Sequence, residues 1–138
     1  MSELVSINFS NKQIDYIKWA LKNSIWFLKK NIKKYNFFKK ESVKNTQYYI
    51  DRAKIIYEIF NVKNINDFNF SIENLENIKF YIDTYINIII EEMDILFAYE
   101  NKASKHFFRL SDEIINELDI VSINLVITIE NYILNNKI

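Results

Sequence analysis

Not one of the 138 residues is a glycine or a proline. These two residues make most tight turns, because glycine accepts positive φ and proline fixes φ in advance. Hairpins would rest on Asn or Asp alone, which argues against a many-stranded β fold. Long helices with few connections are what such a chain forms most readily. Cysteine is absent too, which removes disulfides, thiolate metal sites and a cysteine nucleophile, and fits a reducing compartment.

The length suits a single helical domain over residues 1–138, with one core. No run of about 18 apolar residues occurs, so no membrane span is expected. The opening MSELVSINFSNKQ lacks the basic-then-apolar layout of a signal peptide, and a cytoplasmic chain is expected. Ile, Asn and Lys dominate, and all three have AT-rich codons, so abundant lysine by itself carries little functional meaning.

Three segments open with one helix-start device. Ser10 caps with Gln13 completing a capping box, and Phe9 staples to Ile14. Ser71 caps and Phe70 staples to Leu75. Ser111 caps and Leu110 staples to Ile115. Each precedes apolar residues at a 3.6 period, such as Ile14, Ile17, Leu21, Ile25 and Leu28, or Leu118, Val121, Leu125 and Ile129. With glycine missing, Asn36, Asn61, Asn101 and Asn135 are the natural stops. These signals predict an all-α fold, an antiparallel bundle of about four long amphipathic helices, near 11–35, 42–60, 72–100 and 112–134. There is room for a fifth short helix near residues 103–109. Around Ile7–Phe9 and Phe68–Phe70 the alternation is that of two short strands, which can pair.

An internal repeat runs at an offset of 61 residues. Phe9, Ser10, Ile14, Ile17, Leu21, Ile25 and Leu28 align with Phe70, Ser71, Leu75, Ile78, Ile82, Ile86 and Ile89. A duplicated helical hairpin produces such a pattern, although any two capped amphipathic helices share part of it, and helices 2 and 4 do not align with it.

Chemistry-bearing motifs are scarce. His106 is the lone histidine, so the Glu-x-x-His pairs of a di-metal carboxylate bundle are missing. Glu91, Glu92 and Asp94 are close in sequence and point to different sides of a helix. No glycine-rich loop exists to cradle a phosphate. Neither an enzyme nor a metal or cofactor is expected.

Charge is uneven. Residues 12–44 carry a net of +8 and residues 45–138 a net of −7. Lys29, Lys30, Lys33, Lys34, Lys39 and Lys40 interleave with Tyr35, Phe37 and Phe38, a mixture that can bind single-stranded nucleic acid or an acidic partner. In an up-down bundle the same lysines would lie at the end that carries Glu91, Glu92, Asp94, Glu100, Asp112, Glu113 and Glu117, and either pairing within the chain or a plain solvated face is the expected outcome.

Spare apolar surface is the second functional signal. At about 100° per residue, the fourth helix carries a second line, Ile120, Ile123, Ile127 and Leu134, opposite its core stripe. Helix 3 shows a weaker counterpart in Tyr81, Ile88, Ile95 and Tyr99, and helix 1 adds Trp19, Trp26 and Phe27. A bundle needs one apolar stripe per helix, so the second line reads as a contact for another protein or a second copy of the chain. The expected function is a non-enzymatic protein-interaction module that binds and blocks, or bridges, another macromolecule. Compact inhibitors, immunity proteins and mobile-element anti-defence proteins share this size and class. The alternative is a nucleic-acid-binding accessory subunit using the basic aromatic end of helix 1.

Overall fold

The computed structural model describes residues 3–33, 40–62, 65–96 and 102–136. Four helices and two short strands follow the order β1 (Val5–Asn8), α1 (Asn11–Ile32), α2 (Lys40–Phe60), β2 (Asp67–Phe70), α3 (Ile72–Leu96) and α4 (Lys102–Asn135). The described residues are therefore mostly helical, with one small sheet. No helix among the described residues is long and apolar enough to cross a membrane.

Local chemistry explains the starts. The Ser10 hydroxyl accepts from the Gln13 N–H at 3.1 Å, and the Gln13 side chain accepts from the Ser10 N–H at 3.0 Å. This reciprocal pair satisfies two donors that the first helical turn leaves orphaned. Ser71 caps α3 through a single bond, accepting from the Asn74 N–H at 3.2 Å. At the far end of α2, Asn61 follows Phe60 and its N–H turns back to the Glu58 carbonyl at 3.2 Å. Asn36 and Asn101, the expected stops of helices 1 and 3, lie outside the described residues.

The third expected cap does not form. Ser111 lies inside α4 and is buried, and Leu110 is exposed on the surface. The separate helix expected near 103–109 is the opening of the same α4. Between Lys102 and Ser111 nothing breaks a helix, and a serine in a helix interior costs only about 0.5 kcal/mol relative to alanine. A serine before an apolar period therefore marks a helix start only where the preceding residues are not already helical, as with Phe9 and Phe70 at the strand ends.

β1 and β2 pair antiparallel, with Val5 opposite Phe70, Ile7 opposite Phe68 and Asn8 opposite Asp67. Ile7, Phe9, Phe68 and Phe70 turn one face of this ladder into the core, where Phe60 meets Phe68 and Phe70 with ring centroids at 4.8 and 5.5 Å. On the other face the Ser6 hydroxyl donates to Asn69 and the Asn8 amide donates to Asp67.

The repeat seen in the sequence is a structural one: β-α-α occurs twice. A shift of 61 residues carries the pair Ser6–Asn69 onto Asp67–Asn8 and leaves the Ile7–Phe68 pair in place, so the ladder is its own mate under a pseudo-two-fold rotation. Helix contacts obey the same rule. α1 packs on α2 as α3 packs on α4, and α1 touches α4 as α3 touches α2, while α1 and α3 meet across the axis. Helices 2 and 4 join the repeat at a shift of 65. Thr46, Ala53, Ile56 and Phe60 then match Ser111, Leu118, Val121 and Leu125, all buried. Four more residues separate the core positions of the second unit, which hides the match at a constant offset. α2 ends at Phe60, the mate of Leu125, so the last ten residues of α4, 126–135, have no counterpart in the first unit.

Candidate interaction surface

The core stripe of α4 is Ile114, Leu118, Val121 and Leu125, all buried. Half a turn away the helix presents Ile120, Ile123, Ile127 and Leu134, each between 51 and 63 % exposed. Ile133 is exposed beside them, on the stretch without a counterpart in α2. Asp119 and Glu130 run along one flank of the line, and Asn124 and Asn131 along the other. From Ser111 to Asn136 the helix carries no basic residue. Burying one such isoleucine is worth roughly 1.5–3 kcal/mol, so the line is an unusual expense of apolar surface.

α1 has an outer face of opposite charge. Its core side carries Ile14, Ile17, Ala20, Leu21 and Ser24. Its outer side carries Trp19 and Trp26, 45 and 59 % exposed, with Lys22, Lys29, Lys30 and Lys33 also exposed around them. The Lys30 ammonium sits 4.9 Å from the Trp26 ring centroid, a cation–π contact at the surface. Lys22 reaches toward Tyr57 of α2, 5.3 Å from its ring centroid. Lys34 and Lys39 lie outside the described residues, as do Tyr35, Phe37 and Phe38, and nothing is described of the Lys40 side chain.

The structure describes only part of this basic end and of the acids expected near it. No ion pair among the described residues joins Lys29, Lys30 or Lys33 to an acid. Glu113 pairs instead with Lys12, at the opposite end of α1. α4 begins at Lys102, so Glu113 stands three turns inside it, beside the start of α1. Lys12 and the Tyr16 hydroxyl together hold the Glu113 carboxyl below its ordinary range. The bond to Glu113 raises Lys12, and burial followed by the same bond raises Tyr16. The repeat-related position holds a matching link: the Tyr48 hydroxyl donates to Glu73, with Arg52 at 4.0 Å from the same carboxylate. Neither link is a local signal, since Tyr48 and Glu73 are 25 residues apart and Lys12 and Glu113 about a hundred.

The counterpart line expected on helix 3 is corrected. Tyr81 is fully buried and donates its hydroxyl to the Tyr49 carbonyl at 2.6 Å. Ile88 is half-buried, and the side chains of Ile95 and Tyr99 lie outside the described ones. Tyr81 occupies the position whose mate is Ala20, so one unit fills with a ring what the other fills with a methyl group.

Among the described residues no group of three or more His, Cys, Asp or Glu side chains converges as a metal site would require. Comparison with protein-family models, with curated proteins and with solved structures finds no match to this chain.

Proposed function

We propose that the chain is a protein-interaction module without catalytic activity, its four helices forming an antiparallel bundle in a single domain. It binds a protein partner through the outer line of α4, and so blocks or bridges that partner. The observation that carries this reading is the exposure of Ile120, Ile123, Ile127 and Leu134 in one line on a helix whose core need is already met by Leu118, Val121 and Leu125. Fixed on a well-packed helix, these side chains lose little entropy on binding, which favours a preorganised contact.

The test compares the full chain with Ile123→Lys/Ile127→Lys as bait in its native cell, reading protein and nucleic acid together. A protein retained by the first and lost by an equally stable variant supports the reading. An equal catch by both removes the line from consideration.

A second reading rests on the Trp26–Lys30 contact and the neighbouring lysines, which resemble a stacking platform with phosphate-binding flanks. It requires salt-sensitive binding of single strands that Trp26→Ala abolishes.

A further inference from the structure

The two unmatched faces of this chain fit each other, and we infer that the occupant of α4's outer line is the outer face of α1 from a second copy. The inference rests on the reading of the α4 line as an interface. Within one molecule the two faces cannot meet, since each points directly away from the core stripe of its own helix: Ile17, Leu21 and Ser24 for α1, Leu118, Val121 and Leu125 for α4.

Spacing, side and charge agree. Ile120, Ile127 and Leu134 recur every seven residues, and so do Trp19, Trp26 and Lys33, which places both sets over about 21 Å of helix. Set antiparallel with Trp26 against Ile127, the helices also bring Trp19 against Leu134. In that register Lys22 falls beside Glu130 and Lys33 beside Asp119, because both pairs are eleven residues apart. At about 100° per residue, Lys22 and Lys33 lie on the same side of the tryptophan line as Asp119 and Glu130 do of the isoleucine line. Antiparallel helices packed face to face bring like sides together, so lysines meet carboxylates rather than one another. Indole faces would cover the isoleucines, and the ammonium groups would close over the acidic flank.

The repeat adds an independent reason. Residues 126–135, which carry Ile127 and Leu134, are an extension that the first unit lacks. The mates of Lys22 and Lys30 are Asp83 and Glu91 on α3, so the basic character belongs to α1 and not to the repeated unit. The two units have diverged where the proposed contact lies.

A contact between different faces is heterologous, and each copy keeps one free face of each kind, so association continues into a ring or an open chain. Sedimentation equilibrium on the full chain at about 0.05 M salt checks this. The weight-average mass is expected to rise beyond two copies with concentration, and the association constant to fall at least about tenfold when salt reaches about 0.5 M. Ile123→Lys/Ile127→Lys and Lys22→Glu/Lys33→Glu, all at exposed positions, are each expected to be monomeric while retaining the wild-type helical circular dichroism. Their equimolar mixture is expected to stop at a one-to-one dimer, since one supplies an intact α1 face and the other an intact α4 line. A wild-type chain that stays monomeric at about 0.5 mM overturns the inference. Self-association that the α4 variant loses and the α1 variant keeps also overturns it, yet leaves α4 as an interface. Association indifferent to both variants overturns the inference and the α4 interface together.

Discussion

The backbone N–H of Phe9 donates to the Asn66 carbonyl at 3.0 Å, and the Asn66 side-chain amide donates back to the Phe9 carbonyl at 2.9 Å. This exchange adds a rung to the ladder just before α1 begins, and ties the first β-α-α unit, between its strand and its first helix, to the residue that leads into β2 of the second. Asn66→Ala removes the returning bond and leaves a half-buried carbonyl without it. The expected loss is about 1 kcal/mol in urea unfolding, with an unchanged denaturant slope. Asn66→Asp keeps the size, replaces the donor with an acceptor, and is expected to lose more.

Ser10→Ala and Ser71→Ala are each expected to lower stability by about 1 kcal/mol, because each hydroxyl is the acceptor for an otherwise orphaned N–H. The two helix starts lie in different units, and their effects are expected to add. Ser111→Ala carries no such capping loss, since α4 has already run from Lys102. Thermal unfolding of the three variants side by side separates caps from an interior serine. A Ser111 effect as large as that of Ser71 would contradict the continuous α4.

Along α4, Leu118→Ala is expected to destabilise by about 2–5 kcal/mol, because its side chain is fully buried and leaves a cavity. Ile123→Ala, five residues on, is expected to stay within about 0.5 kcal/mol of the parent. Chemical denaturation of dilute protein reads both. A large loss at Ile123 would mean that the outer line is covered within its own molecule.

The Glu113 link sets a pH dependence at both ends. The Lys12 bond, then the Tyr16 hydroxyl, hold the folded carboxyl below its ordinary value of 4.5. That contribution is complete above about pH 4.5 and is lost as pH falls through the folded value. Lys12 is raised above its ordinary 10.5 by the same bond, so its contribution is present below that pH and is lost on the way up through the folded value. Glu113→Gln is expected to flatten stability against pH on the acid side and to remove the alkaline loss due to Lys12. Stability curves for parent and variant that stay parallel from pH 3 to pH 5 would dissolve the link.

Much of this architecture was legible from local signals. A capping box acts within one helical turn, and apolar spacing reports which side of a helix is buried before any partner is known. Ser10, Ser71, the strand alternation at Ile7–Phe9 and Phe68–Phe70, and the second apolar line of α4 are all of this kind. The expected cap at Ser111 failed because a local signal cannot show that a helix is already under way. The repeat was visible only where the offset stays at 61, and vanished at α2 and α4 where four residues intervene.

Local spacing alone thus identifies the helical class, two of the helix starts, two strand-like segments and a second apolar line on α4, since each depends on residues within a turn or two of one another. The pairing of the two strands, the pseudo-two-fold arrangement, the exposure of the α4 line, the burial of Tyr81 where its sister unit has Ala20, and the meeting of Glu113 with Lys12 all come from tertiary packing. Those relationships involve residues about thirty to a hundred positions apart, and their geometry depends on where the whole chain turns and on how far each helix runs before it does.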